Sequence, residues 1–284
     1  MVSQNASVNA FEDEFSSAGL DAQTSLTEVD ADPGLKMAGQ TETMRDHDLP
    51  DPPYISQWGD LACNVAVIER GEDPIPLHDW RADGYLSGEA YRLWSRNTCG
   101  LTCLQMILAA DPGRWPDVPC KGALLAQAIS GGVLTPHDDG SIGGLYYAPF
   151  VKWVAHDFGL EAVSRPELPI EEMAELVAAG EWYAMASVSY EIRLPEQEPT
   201  HTGGHLILVH RVEGDGCEDD GREGESGFSG EGRTGESGLH FVYHNPSGLP
   251  PAAPGLPGSA ENATCLAERF ARFYAGRGIL VRRS

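Results

Sequence analysis

The amino-acid sequence predicts an α+β fold in which helices come first and an antiparallel sheet follows. Two observations lead to this prediction. Between residues 97 and 179 apolar residues recur at helical spacing, and after residue 182 they form short runs typical of strands. Because the two kinds of segment follow one another instead of alternating, a parallel βαβ arrangement is disfavoured.

Each predicted element has a local signal. Asn97 or Thr98 is suited to cap a helix that runs to about Ala110, where Asp111-Pro112-Gly113 ends it. Further helices are predicted over 122–130, 146–158, 170–179 and 263–274, and strands over 182–190, 205–212, 239–244 and 278–282.

Two polar, acidic stretches define the predicted domain organisation. Residues 1–50 carry too few large apolar side chains to offset the entropy of ordering, so a disordered acidic N-terminal segment is expected. Residues 51–284 are predicted to form one domain. Within it, the Gly/Glu-rich stretch 213–238 lies between two strand patterns and is predicted to be a flexible loop.

Charge and targeting signals limit the function classes. The formal net charge of −24 on 284 residues disfavours nucleic acid and anionic membranes as partners, since both bind basic surfaces. A signal peptide and a long apolar span are not seen, so we expect a cytoplasmic protein whose six cysteines stay reduced. The oligomeric state is not predicted.

Cys99 is the first candidate for chemistry. It lies where a polar stretch turns into an apolar helical pattern, so the helix dipole and free N–H groups there would stabilise a thiolate. Gly100 beside it is expected to let a substrate backbone approach. A buried structural cysteine is the alternative interpretation, and Cys103, on the apolar stripe one turn later, is assigned to the core.

His205 and Asn245 provide a base and a residue that could orient it. His205 follows Gly203-Gly204 and opens an apolar strand, and the two glycines are expected to leave room for substrate. Asn245 ends the next strand, where its amide oxygen can accept an imidazole N–H. His210 is the rival base, but the odd separation places it on the opposite sheet face from His205.

A zinc site is the alternative use of these residues. Cys99 and Cys103, with His201 and His205, have ligand types found in Cys2His2 sites. The chain between the two pairs is far longer than in a zinc finger. Leucines also occupy much of the face of the predicted helix on which Cys99 and Cys103 would lie. The sequence therefore disfavours zinc, and thiol chemistry at Cys99 needs neither a metal nor an organic cofactor.

The three motifs resemble those of a known family. Asn97-Thr98-Cys99-Gly100, Gly203-Gly204-His205 and the stretch 242–248 around Asn245 resemble the peptidase domains that remove double-glycine leaders in bacteriocin exporters, and their stand-alone relatives. The resemblance covers roughly residues 53–284. It implies a papain-like cysteine peptidase fold, with a nucleophile helix packed on an antiparallel sheet. It also implies Cys99 as nucleophile, His205 as acid and base, and Asn245 orienting His205.

The sequence departs from the family pattern at the oxyanion-binding glutamine. That residue usually precedes the cysteine by six positions, where this chain has Leu93. Gln57 lies in a similar Pro-x-x-x-Gln setting and is predicted to take the role, if 60–94 is an insertion. Asn245 stands where the family more often has aspartate, and papain itself shows that asparagine is compatible with this role.

Three functions fit these residues. The first is hydrolysis of a peptide or amide bond by a Cys-His-Asn triad through a thioester. The second is an amide-forming acyltransferase or tailoring enzyme of a peptide-like metabolite, in which an amine replaces water as acceptor. The third is a catalytically inactive binding protein of the same fold, which the absence of glutamine before Cys99 motivates. The expected partner is a peptide or peptide-like substrate in each case.

Overall fold

The fold is α+β, a sheet with helices on both of its faces. The computed structural model describes residues 51–137, 142–214 and 238–283. The predicted disordered segment 1–50 and most of the predicted flexible loop 213–238 lie outside the described residues. The coarse fold class predicted from the sequence is confirmed.

The sheet has six strands, and every neighbouring pair is antiparallel. Their spatial order is β1-β6-β2-β3-β4-β5, so the last strand of the chain inserts between the first two. The strands are β1 (Ala162–Arg165), β2 (Trp182–Ser189), β3 (Gly204–Glu213), β4 (His240–His244), β5 (Ala263–Leu266) and β6 (Tyr274–Arg282).

Two groups of helices cover the two sheet faces. The first group contributes to one apolar cluster and consists of α1 (Leu61–Ile68), α2 (Gly88–Trp94), α3 (Cys99–Ala109), α4 (Lys121–Ser130) and α5 (Tyr147–Phe158). The second group contributes to the other cluster and consists of α6 (Ile170–Ala178) and α7 (Ala267–Phe273).

Strand periodicity explains how one sheet supplies both clusters. Met185 on β2 and Leu206 on β3 belong to the cluster of α1–α5, whereas their neighbours Ala186 and Ile207 belong to the cluster of α6 and α7. Successive side chains of a strand point to opposite faces, so the continuous apolar runs of these strands fill both cores.

Helix α3 is the most deeply buried helix of the first layer. All residues from Gly100 to Leu108 are buried, and Leu104 and Leu108 share a cluster with Leu206 of β3. Even its polar residues Thr102 and Gln105 are buried, so protein surrounds the helix on every side. Packing therefore fixes the first residue of α3, Cys99, against the start of β3.

Several elements differ from the sequence predictions. The predicted helix 263–274 is wrong in its first part, because Ala263–Leu266 pairs with β4 as an edge strand and only Ala267–Phe273 is helical. Strand β1 and helices α1 and α2 were not predicted. Helix α1 does carry a readable signal, since the Asp60 carboxylate caps it by accepting from the backbone N–H of Cys63.

The sequence analysis predicted that the chain has no membrane-spanning helix. Within the described ranges, no helix combines the length and the apolar composition that crossing a bilayer requires.

Candidate active site

Cys99 is the first residue of α3 and lies beside the start of β3. A three-residue 3-10 turn, Ser95–Asn97, leads into the helix, and Thr98 occupies the N-cap position. The Thr98 hydroxyl donates back to the Ser95 carbonyl (3.0 Å) and leaves the first N–H groups of α3 free of a side-chain cap. The helix start is therefore open toward the Cys99 side chain, which is partly accessible to solvent.

Opposing effects act on the Cys99 thiol. Burial raises its pKa above the ordinary value, while the backbone N–H groups of Leu206 and Gly100 and the positive charge of Arg193 act in the lowering direction. The net direction is upward, so the resting side chain is a thiol. The contact with Leu206 also shows that the sulfur lies next to the residue that follows His205.

Gly100 allows close packing of α3 and does not leave room for a substrate. A Cβ atom at this position would lie 2.6 Å from Leu145 Cδ1 and 3.0 Å from Leu206 Cδ1. The expectation that Gly100 leaves space for a substrate backbone is therefore wrong. The glycine lets the start of α3 approach β3 and the 142–146 segment closely, which brings Cys99 near His205.

The glycines before His205 differ in their surroundings. Gly203 and Gly204 both have left-handed backbone angles, with φ of 80° and 90°. A Cβ at Gly203 would be crowded by Ala275, Arg277 and Ser187, whereas one at Gly204 would meet nothing within 4 Å. Only Gly204 therefore borders open space of the kind predicted beside His205.

His205 and Asn245 form a direct hydrogen bond. The His205 Nε2 and Asn245 Oδ1 atoms are 2.8 Å apart, and both side chains are buried. The orientation of the Asn245 amide follows from its second partner, because the Ser247 backbone N–H donates to the same Oδ1 atom (3.1 Å). His205 Nε2 must then carry the proton that it donates. Its Nδ1 atom forms no hydrogen bond with another described residue and can act as a base.

Ser247 is a site residue that the sequence analysis missed. Its Oγ atom lies 3.2 Å from His205 Nε2 and 3.4 Å from Asn245 Oδ1. The Asn245-Pro246-Ser247-Gly248 sequence is an Asx-turn, in which the asparagine oxygen accepts an N–H two residues later. The Asn-Pro turn pattern is the signal that could have placed Ser247 beside Asn245.

The imidazole of His205 is neutral near pH 7. Burial is the main reason that its pKa is lowered to about 3, and the charge of Arg193 acts in the same direction, while the bond to Asn245 acts weakly against it. The resting site thus contains a thiol at Cys99 and a neutral imidazole at His205. It is not a preformed thiolate–imidazolium pair.

Gln57 lies between the two halves of the site. Its backbone N–H donates to Pro246 O (2.8 Å), and its side-chain Nε2 donates to Ser95 O (2.6 Å), four residues before Cys99. The side chain is buried, and its Oε1 has no partner among the described residues. One of the two Nε2 hydrogens remains available to another acceptor.

Asn64 holds the turn that carries Asn245, a role that no sequence pattern indicates. From α1 its Nδ2 donates to Gly248 O (2.8 Å) and Pro246 O (3.2 Å). Its Oδ1 accepts from the Ser56 hydroxyl (2.7 Å). The predicted insertion 60–94 therefore begins with a helix that fixes the turn.

The rival histidine lies elsewhere. His210 stacks on His244 with ring centroids 4.5 Å apart, and His244 Nε2 donates to Pro52 O (2.7 Å). His205 thus contacts Asn245, whereas His210 contacts His244, as the alternation of side chains along a strand predicts.

The four residues weighed as a zinc set have separate partners. Cys103 is fully buried, and its thiol donates to Leu206 O (3.7 Å). His205 is bonded to Asn245, and His201 packs against the Tyr190 ring. Among the described residues, no three or more His, Cys, Asp or Glu side chains are grouped so that they could hold a metal. The five described cysteines are free.

Comparisons of the chain with protein-family models, with curated proteins and with solved structures found no match.

Proposed function

We propose that this protein is a papain-like cysteine peptidase that hydrolyses a peptide or amide bond through Cys99, His205 and Asn245. The supporting observation is the 2.8 Å bond between His205 and Asn245, with Cys99 at the start of the helix that packs beside His205. A nucleophile, a base and a residue orienting the base are the groups that thiol acyl chemistry needs.

In the proposed reaction the Cys99 sulfur attacks the substrate carbonyl carbon while His205 Nδ1 takes the thiol proton. The oxyanion accepts hydrogen bonds from the Cys99 backbone N–H and from the free hydrogen of Gln57 Nε2. The imidazolium then protonates the leaving amine, and a thioester remains on Cys99. Water deprotonated by His205 hydrolyses the thioester and releases the product acid and the thiol.

The neutral resting pair gives this mechanism a specific feature. Because burial raises the pKa of the Cys99 thiol and lowers that of His205, the proton moves during the attack and not before it. Asn245 stabilises the imidazolium that forms, since its oxygen accepts the Nε2–H bond in both protonation states.

A peptidyl epoxide tests the proposal, since the Cys99 sulfur would open the ring and form a stable thioether. Mass spectrometry of the wild-type protein should show one adduct on Cys99, absent from Cys99→Ala and retained in the matched control Cys120→Ala. Equal labelling of several cysteines, or an adduct that persists in Cys99→Ala, would contradict the proposal.

A second candidate is a catalytically inactive binding protein of the same fold. One observation favours it: Gln57 already donates a hydrogen bond to Ser95 O. A native Cys99 that reacts with the epoxide no faster than free cysteine would support this candidate. If Cys99 does react, product analysis with an added amine distinguishes hydrolysis from acyl transfer.

A further inference from the structure

Arg193 is bonded to Ser247, the residue that adjoins the His205–Asn245 pair. It ends the 3-10 turn Tyr190–Arg193 that follows β2. Its Nε donates to Ser247 O (2.8 Å), and its Nη2 donates to Ser247 Oγ (2.5 Å). Since Ser247 Oγ is 3.2 Å from His205 Nε2, a single hydroxyl group separates the guanidinium from the imidazole.

The guanidinium remains charged and acts on both reacting groups. Burial lowers the pKa of Arg193 to about 10, which still leaves the side chain protonated near pH 7. Its charge lowers the pKa of the Cys99 thiol and also that of His205. Arg193 thus favours a thiolate but disfavours the imidazolium that the reaction must form.

Arg193 has no carboxylate partner among the residues that the structure describes. The neighbouring acid, Glu191, accepts hydrogen bonds from Thr200 and Ser189 instead. A largely buried arginine is normally ion-paired, because removing its charge from water is costly. The chain has 43 acidic residues for 19 basic ones, so a missing counterion in this place is informative.

The contacts with Ser247 do not use the whole guanidinium. They involve Nε and Nη2, while Nη1 has no acceptor among the described residues. An arginine presents its N–H groups as a planar fork that matches a carboxylate. The remaining N–H groups can therefore receive an anion.

A second arginine lies near the same end of the sheet. Arg277 on β6 is exposed and forms no ion pair with a described carboxylate. Its Nη2 lies 3.4 Å from the position of a Cβ at Gly203, two residues before His205. The Arg193 guanidinium lies 5.5 Å from the centre of the Tyr190 ring, but neither arginine has a described carboxylate as its partner. An acidic protein thus has two arginines without a carboxylate partner on elements that adjoin the start of β3.

We propose that Arg193 is the anion-binding residue of this site, and that the substrate carries a carboxylate beside the bond that Cys99 attacks. The inference rests on the proposed function and specifies its substrate class. A bound carboxylate would be the counterion that the fold lacks. By offsetting the guanidinium charge it would also make the His205 imidazolium easier to form at the moment of attack.

Two alkylating reagents test the proposal, iodoacetate and iodoacetamide. Each transfers its methylene carbon to the Cys99 sulfur and releases iodide, and they differ only in carrying a carboxylate or a carboxamide. The measurement is the ratio of the two alkylation rates at Cys99, divided by the same ratio for free cysteine. Because the chain's net charge of −24 repels iodoacetate, a normalised ratio above one requires local positive charge.

The expected normalised ratio for the wild type is about ten or more, the range of a charge-assisted hydrogen bond. In Arg193→Gln it should fall to about one or below, and Arg193→Lys should retain part of the preference, since the charge stays but the fork is lost. The control Arg282→Gln, which removes an exposed arginine paired with Glu161 and Glu181, should leave the ratio unchanged.

Other outcomes would overturn the inference in distinguishable ways. A wild-type ratio near one, with Cys99 still alkylated, would refute carboxylate binding but leave the proposed nucleophile intact. Equal slowing of both reagents in Arg193→Gln would show that Arg193 acts on the thiolate alone. No alkylation of Cys99 by either reagent would contradict the proposed function itself.

A measurement on the wild type avoids dependence on the folding of Arg193 variants. N-acetylglycine should protect Cys99 from the neutral reagent iodoacetamide, and N-acetylglycinamide should protect it less, by about tenfold in the concentration required. Equal protection by the acid and the amide would refute the carboxylate subsite.

Discussion

The His205 imidazole is held in one tautomer by an acceptor on one side of the ring. Asn245 Oδ1 cannot donate, and it also accepts the Ser247 N–H, so the proton must lie on His205 Nε2. This assignment leaves Nδ1 as the basic nitrogen. At the scale of single residues, the proposed chemistry therefore depends on one amide oxygen.

The tautomer can be measured directly. Nitrogen-15 NMR of the wild type at pH 7 should show His205 as neutral imidazole protonated on Nε2. In Asn245→Ala the acceptor is lost, and the resonances should shift toward a mixture of tautomers. The control Asn97→Ala removes an amide whose only side-chain hydrogen bond among the described residues, to Leu93 O, is 3.4 Å long, and should leave the His205 signals unchanged. A wild-type proton on Nδ1 would contradict the assignment.

Local sequence was sufficient for some residues of the site but not for others. Cys99, His205 and Asn245 each stand at a readable boundary of a helix or a strand, and two of them are hydrogen-bonded in the structure. Arg193 reaches Ser247 across 54 positions, and Asn64 reaches Gly248 across 184. Contacts of this length depend on the tertiary fold, for which these residues carry no local signal.

At the scale of elements, helix α1 is linked to the Asn245 turn by a single side chain. Asn64 is fully buried and donates to the carbonyls of Pro246 and Gly248, while it accepts from Ser56. No other described side chain bonds both carbonyls. The position of Asn245 therefore depends on a helix that precedes it by about 180 residues.

Asn64→Ala should lower the free energy of unfolding by about 2–3 kcal/mol, because it leaves the buried Gly248 carbonyl without a donor and removes one of the donors to Pro246 O. Urea unfolding followed by tryptophan fluorescence measures this change. The half-buried Asn97→Ala is the matched control and should cost less than about 1 kcal/mol. Similar losses of unfolding free energy in the two variants would show that the hydrogen bonds between Asn64 and the turn contribute little to stability.

Some helices and strands were predicted accurately and others were not, and the difference has a physical cause. Strands β2, β3 and β4 have continuous apolar or β-branched runs, and the predicted ranges match them within about one residue at most ends. The 263–274 segment contains Ala263–Leu266, whose strand conformation comes from pairing with the edge of β4. Local propensity does not contain that partner, so a helix pattern was extended over a strand.

At the scale of the whole molecule, three buried histidines are expected to determine acid stability. Burial lowers the pKa of His205 to about 3 and that of His210 to about 4, and it also lowers that of His244. Around His210, Asp51 opposes this shift, while His244 and Arg211 add to it. Since each folded-state pKa is below the unfolded value of about 6.5, the unfolded chain binds more protons between them.

Stability should therefore be complete above about pH 6.5 and decrease as the pH falls toward the folded-state pKa values. Between pH 7 and pH 5 the expected loss is about 2 kcal/mol for each of His205 and His210. Urea unfolding at the two pH values measures it. His210→Gln should reduce the pH dependence, and the exposed control His156→Gln should not. Equal wild-type stability at both pH values would contradict this expectation.

The central claim is that Cys99 attacks a carbonyl with His205 as its base. The measurement that tests it most directly is mass spectrometry of the protein after brief exposure to p-nitrophenyl acetate. One acetyl group is expected, on Cys99; it should be absent from Cys99→Ala and retained in Cys120→Ala. Acylation should slow by about a hundredfold or more in His205→Ala. An acetyl group on another cysteine, or undiminished acylation of Cys99 in His205→Ala, would contradict the claim.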